Sequence, residues 1–299
     1  IDINGNTNTQ DKVVRREFRV AEGDAFNSFQ VKRSSDRIQS LGFFQEKLEI
    51  EQKQGSAPDR IILEANVEEQ STGELQLSAG FSSIERFIIN ASIRQRNFRG
   101  KGQELRASVN YSTFSKSVEL GFTEPYLFDK NIALGGDIFR RDFNSFNFVN
   151  NSRNTTYQQL TTGFQVRVGV PLTEFISFAG RYGVSLDDVT LDRNQFFFNG
   201  QCDPLLAGRF LCDAIGKRTT SSLGYSLVFD NLNNRARPSA GQRAVFSQDF
   251  AGLGGSVKYL RTRLNADKYW KVLGNFIFSV GVETGYVLPF GSDRGAGID

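Results

Sequence analysis

From about residue 72 onward, apolar and polar side chains alternate strictly through roughly ten or eleven segments, and no segment is apolar enough for a membrane helix. Phe87, Ile89, Ala91 and Ile93 interleave with Asn90, Ser92, Arg94 and Arg96; Leu105, Ala107, Val109 and Tyr111 interleave with Glu104, Arg106, Ser108 and Asn110. Phe164, Val166, Val168 and Val170 oppose Gln165, Arg167 and Gly169, and the pattern returns at Phe178 to Leu186 and at Phe278 to Tyr286. A strand turns successive side chains to opposite faces, so each segment has one apolar and one hydrated face, with charges at its centre. This predicts a mainly β protein, an antiparallel transmembrane β-barrel. A soluble sandwich would also alternate, but rarely with strands this long and aromatic-rich whose edges carry no Pro or charge as guards.

The first seventy or so residues lack that alternation and predict a small β-α-α-β-β module, placing the domains at 1–70 and 71–299. Ile1 and Ile3 alternate with polar residues up to Gly5. Thr7 and Gln10 have the spacing of a capping box for a helix with Val14 and Phe18 at i, i+4. Asn27 and Gln30 repeat that cap before a second helix with Val31, Ile38 and Leu41, ending at Gly42. Leu48 and Ile50, alternating with Lys47, Glu49 and Glu51, then Ile61, Leu63, Ala65 and Val67, predict two strands around a turn from Gly55 to Pro58.

The net charge of +3 is too small to point to nucleic acid, and the negative mean hydropathy fits a wall in which every second residue meets lipid. The chain has no histidine, which excludes Ser-His-Asp and Cys-His nucleophiles and the usual imidazole metal ligands. No carboxylate pair suits acid–base work, so no catalytic residue, metal or cofactor is expected. Cys202 and Cys212 lie in the longest irregular stretch at a spacing that a disulfide closes if the loop bends back; two thiolates alone are too few for a metal.

Outer-membrane barrels place short turns on the periplasmic side and long loops outside. If the N-terminal module is periplasmic, the strand from Thr72 to Phe81 runs outward. The tight connections Phe98 to Gln103, Phe128 to Asn131 and Pro171 to Glu174 then fall inside, and the long ones, Asn144 to Thr156 and Asp187 to Thr219, outside. Asn231 to Gly241 is long for an inner turn.

Several stretches resemble the BamA family, whose members fold and insert outer-membrane β-barrel proteins. Ile3-Asn4-Gly5-Asn6-Thr7, Arg15-Arg16-Glu17-Phe18-Arg19 leading to Glu22-Gly23, and Leu41-Gly42-Phe43-Phe44 are similar to that family's last periplasmic POTRA repeat. Glu68-Glu69-Gln70-Ser71-Thr72-Gly73 resembles the hinge into the first barrel strand, Asn97-Phe98-Arg99-Gly100-Lys101-Gly102 the first inner turn, and Thr123-Glu124-Pro125-Tyr126-Leu127-Phe128 the fourth strand. The order and spacing of these stretches carry the resemblance; related secretion translocators and organelle homologues share much of it.

The resemblance implies a bacterial outer-membrane protein with its N-terminal module in the periplasm. Its implied partners are unfolded outer-membrane proteins, accessory lipoproteins of the assembly complex and outer-membrane lipid. It also implies that the strand from Ser71 to Ser83 is the barrel seam, with Thr72, Gly73, Glu74, Leu75, Gln76, Leu77, Ser78, Ala79 and Gly80 pairing with substrate. Gly73 and Gly80 weaken a strand, which suits exchange, although glycines in barrel strands also serve curvature. Arg15, Arg16, Arg19 and Glu22 lie where the family docks an accessory lipoprotein; a charged helix face is otherwise simply solvated. The inward Arg94, Arg96, Arg106 and Arg167 read as a hydrated lumen lining. The family's barrel has more strands than this chain supplies, and an open sheet in hydrocarbon leaves backbone groups unpaired, so the expectation is that the chain is incomplete, with a long loop beginning near Pro289. A secretion translocator of the same superfamily and a passive diffusion pore are the competing readings; conductance and the number of upstream POTRA modules separate them.

Overall fold

The computed structural model describes residues 1–45, 48–82, 86–149, 152–233, 238–274 and 276–290, with backbone alone at 146–149, 152–155 and 273. Lys47, Ser83 and the loop expected beyond Pro289 fall outside the described residues, apart from Phe290. The chain forms two compact units, one made of Ile1–Gln76, Ser92–Ala107 and Phe122–Glu124, the other of Leu77–Ala91, Ser108–Gly121 and the remainder.

In the first unit, β1 (Asp2–Asn4), β2 (Glu49–Gln54) and β3 (Ile61–Asn66) make a sheet of order β1-β3-β2, with β1 parallel and β2 antiparallel to β3. Helices α1 (Asp11–Arg15) and α2 (Ser28–Ser40) supply Val13, Val14 and Ile38 to a core completed by Phe43, Phe44, Leu48 and Val67. Burying these side chains drives the module together. Asn27 caps α2, its Oδ1 accepting from the backbone N–H of Phe29 at 3.0 Å and of Gln30 at 3.3 Å. Gly42, at φ +66°, lets the chain leave the helix in the left-handed region.

The first helix departs from the sequence pattern. It ends at Arg15, short of Phe18, and Gln10 at its N-cap makes no side-chain capping bond. The capping box read at Thr7 and Gln10 does not form: the Gln10 N–H that Thr7 would accept from donates to Gly100 O at 2.8 Å, and the Thr7 hydroxyl donates to the Glu69 carboxylate at 2.9 Å. Phe18 still packs against the core from outside the helix.

The chain then builds an 11-stranded antiparallel sheet. Its strands are β4 (Gly73–Ser82), β5 (Arg86–Phe98), β6 (Gln103–Tyr111), β7 (Ser115–Glu124), β8 (Ala133–Val149), β9 (Ser152–Pro171) and β10 (Ile176–Leu191), and after a long connection four more. That connection holds α3 (Arg193–Phe196), β11 (Phe197–Phe198), β12 (Gln201–Cys202), α4 (Pro204–Ala207) and α5 (Arg209–Ala214). The last four strands are β13 (Gly216–Asp230), β14 (Gly241–Ala251), β15 (Tyr259–Leu273) and β16 (Phe276–Pro289). Neighbours follow chain order, and among the described residues β4 and β16 are the outermost strands.

Two expected loops are corrected. The stretch from Asn144 to Thr156 is largely strand: β8 and β9 pair as far as Val149 opposite Ser152, with a register shift between Ser145 and Phe146. The connection read from Asp187 to Thr219 is shorter, because β10 and β13 pair out to Val189 opposite Gly216. In both places ladder hydrogen bonds override residues of low strand preference.

Candidate functional site

β4 is the edge that the resemblance marks, and its first residues enter the sheet beside β5. Arg96 N–H donates to the Thr72 carbonyl at 3.1 Å, and the Gln95 amide donates to the Thr72 hydroxyl at 2.9 Å. Arg96 pairs with Glu74 at 2.7 Å. Farther along, the Asn90 amide donates to the Ser78 hydroxyl at 3.3 Å, while on the opposite face Phe81 and Phe87 meet edge to face at 5.9 Å. Leu75, Leu77 and Phe81 are about 70% exposed, so β4 presents an apolar face as well as a backbone edge. The two glycines differ. A Cβ on Gly73 would lie 2.7 Å from the flexible Gln95 amide, whereas one on Gly80 would meet nothing within 4 Å.

The segment that delivers the chain to β4 is held tightly. Gln45 N–H donates to Glu68 O and Gln70 N–H to Phe43 O, both at 2.9 Å, tying residues 68–70 to the module. Between them, the Glu69 carboxylate gathers the loop before α1. It accepts from the Thr7 hydroxyl at 2.9 Å, the Asn8 backbone and side-chain N–H groups at 2.9 Å, and the Thr9 backbone N–H at 2.6 Å. Burial pushes this carboxyl up, but the bonds from Thr9, Asn8 and Thr7 outweigh it and hold it at about 2.

The same loop grips the turn after β5. The buried Asn97 donates through Nδ2 to the Thr9 hydroxyl at 2.8 Å and accepts from Gly102 N–H at 2.7 Å. Gln10 N–H donates to Gly100 O at 2.8 Å. Gly100, at φ +69°, is required twice over: a Cβ there would lie 1.9 Å from the Asn8 carbonyl oxygen.

The four charged residues expected to form a docking face do not form one group. Arg15 pairs with Glu22 and with Asp11, each at 2.8 Å, on an exposed surface. Arg16 is mostly buried, near Glu17 at 3.8 Å and against Gly102, and Arg19 is exposed. Cys202 and Cys212 form a disulfide with their Cα atoms 5.6 Å apart. On the polar face of the sheet, Arg94 pairs with Glu104 and Arg167 with Asp137, each at 2.8 Å. The sequence reading missed Glu69, Thr9 and Asn97 as a set, and also a charge cluster around Asp249. Its signals for the first were the resemblance stretches Glu68 to Gly73 and Asn97 to Gly102, which mark a hinge and a tight turn without naming what they touch.

Residues 97–297 match the Omp85 superfamily domain. The chain belongs to the Omp85 superfamily. Residues 1–70 of this Omp85 chain match the surface antigen variable number repeat, the POTRA module. It is 29% identical over 300 residues to the outer membrane protein assembly factor BamA of Neorickettsia risticii, covering 100% of this chain and 38% of that protein. It is 33% identical over 177 residues to BamA of Neisseria meningitidis, covering 58% of this chain and 22% of that one. The crystal structure of BamA from Haemophilus ducreyi lacking POTRA domains 1-3 superposes with a TM-score of 0.70 at 23% identity, over 99% of this chain and 56% of that one. This Omp85 chain thus spans well under two thirds of the relatives it matches.

Proposed function

We propose that this protein is the central factor of an outer-membrane assembly machine, folding and inserting β-barrel proteins by adding their strands to β4. The observation that carries the reading is the place of β4 directly after the N-terminal module, as the first strand of the sheet and its outermost strand beside β5 among the described residues. Backbone pairing is nearly blind to sequence, so one edge serves many substrates through main-chain hydrogen bonds, as in β-augmentation. The driving force is burial of the substrate's apolar face in lipid and satisfaction of its backbone groups as it closes, so no nucleotide is needed.

In this reading residues 1–70 are a periplasmic module and residues 71–299 belong to the wall in the bacterial outer membrane. The substrates are unfolded outer-membrane proteins, and accessory lipoproteins dock near the exposed Arg15–Glu22 pair. The test uses the full-length protein in its membrane, with single cysteines at Leu75, Leu77 and Ala79 and a stalled substrate carrying a cysteine in its terminal strand. Crosslinks at these positions are expected; no adduct in any register ends the proposal.

A further inference from the structure

Among the described residues β4 is the outermost strand of the sheet, paired with β5 alone, and it contains Gly73 and Gly80. Such a strand frays readily from its ends. Its entry end, however, adjoins the bond network built on Glu69. The carboxylate orders Thr7, Asn8 and Thr9; Thr9 meets Asn97; Asn97 closes the turn at Gly102; and the two residues before Asn97, Gln95 and Arg96, hold Thr72. The path is short, buried at Thr9 and Asn97, and continuous from the hinge around to the strand that the hinge feeds.

We propose that Glu69 is a positioning residue for β4: through Thr9 and Asn97 it pins the turn after β5, so that Thr72 to Gln76 stay paired with β5 and the edge meets an incoming strand in one register. This rests on the strand-addition reading for its purpose, not for its geometry. Glycine is built into the device. A side chain at Gly100 would displace the Asn8 carbonyl, and Gly102, at φ +71°, sits in the left-handed region that glycine favours. The loop and the turn therefore fit only as one piece. The carboxylate stays ionised throughout the physiological range, so the pin does not switch with pH under working conditions.

The experiment is hydrogen exchange on the full-length protein in lipid nanodiscs, comparing the parent with Glu69→Gln, Glu69→Asp and Asn97→Asp. Glu69→Gln and Asn97→Asp are expected to speed exchange about tenfold over residues 73–76 and 98–102, with β10 and β13 unchanged. Glu69→Asp, which keeps the anion, restores most of the protection. In parallel, the crosslink from Leu75→Cys to a stalled substrate strand spreads from one register over its neighbours.

Unchanged exchange over 73–76 in both Glu69→Gln and Asn97→Asp overturns the proposal. So does loss of protection over β10 and β13 as well, which would make Glu69 a general folding residue. If exchange rises as expected but no crosslink forms even in the parent, the positioning role stands and the strand-addition reading falls.

Discussion

Arg181 on β10 and Asp249 on β14 meet across the intervening strand, with Nε 2.7 Å from Oδ1, and they do so over Gly224. Arg181, Gly224, Asp249 and Arg261 stand in one cross-strand row on the polar face, and Arg261 closes the other side of Asp249 at 2.9 Å. Asp249 is buried, and the bonds from these guanidinium groups offset the cost of burying it. A Cβ on Gly224 would lie 2.1 Å from Asp249 Oδ1 and 2.9 Å from Arg181 Nε. Gly224→Ala is therefore expected to break the Arg181 bond and destabilise the sheet by about 2–4 kcal/mol. Gly180→Ala, whose Cβ would make only ordinary contact with the Phe178 ring at 3.6 Å, serves as control. Denaturant unfolding of the full-length protein in lipid checks both; equal midpoints for the two variants would refute the brace.

The Glu69 carboxyl carries a pH dependence of known sign. Its value in the folded protein, about 2, lies below that of a free glutamate, so its contribution is fully present above the unfolded value and is lost as pH falls toward 2. The stability difference between the parent and Glu69→Gln is thus expected to be constant above about pH 5.5 and to shrink toward zero near pH 2. Unfolding of the two proteins measured across that range provides the check. A difference that grows on acidification would mean that Glu69 is not the charged centre of its network.

Alternation made most of the sheet legible, because burial of one face against lipid selects residues at a period of two whatever the partner strand. It failed where local preference and tertiary pairing disagree. Asn144 to Thr156 is rich in Asn, Ser and Thr and reads as a loop, yet β8 and β9 pair through it. Thr7 and Gln10 have capping spacing, yet the Gln10 N–H is taken by the Gly100 carbonyl, ninety residues on, and the Thr7 hydroxyl by Glu69. The Arg181–Asp249 pair illustrates the deeper limit: the pattern places both residues on the polar face, but which Arg meets which Asp follows from register across 68 residues of chain. The edge strand was legible by its resemblance and its alternation. The network that feeds it was not, because it is made of loop side chains whose partners lie far away in sequence.

Gly80 offers a test of whether weakness in β4 serves exchange or curvature. Nothing lies within 4 Å of the Cβ that Gly80→Val would add, so the variant is expected to fold. A β-branched residue should strengthen the strand by about 1 kcal/mol. If an incoming strand competes with a closing partner for this edge, Gly80→Val slows substrate release several-fold while exchange at 98–102 stays at the parent level. Assembly kinetics with a purified barrel substrate read the effect, and unchanged kinetics would assign Gly80 to curvature.

The Cys202–Cys212 bridge spans a sequence separation of 10 and encloses α4 and most of the first turn of α5, whose side chains include the highly exposed Leu205 and Phe210. So small a segment has little core of its own, and closing its loop is worth about 2–3 kcal/mol of local stability. The strands on either side need no such help, since β10 and β13 pair continuously from Ile176 opposite Phe229 to Val189 opposite Gly216. Reduction is therefore expected to loosen the helices alone. Trypsin should cut at the exposed Arg209 much faster in the reduced protein or in Cys202→Ser/Cys212→Ser, while the unfolding midpoint of the sheet moves little. Equal cleavage rates with and without the bridge would show that the loop is held by its contacts rather than by the disulfide.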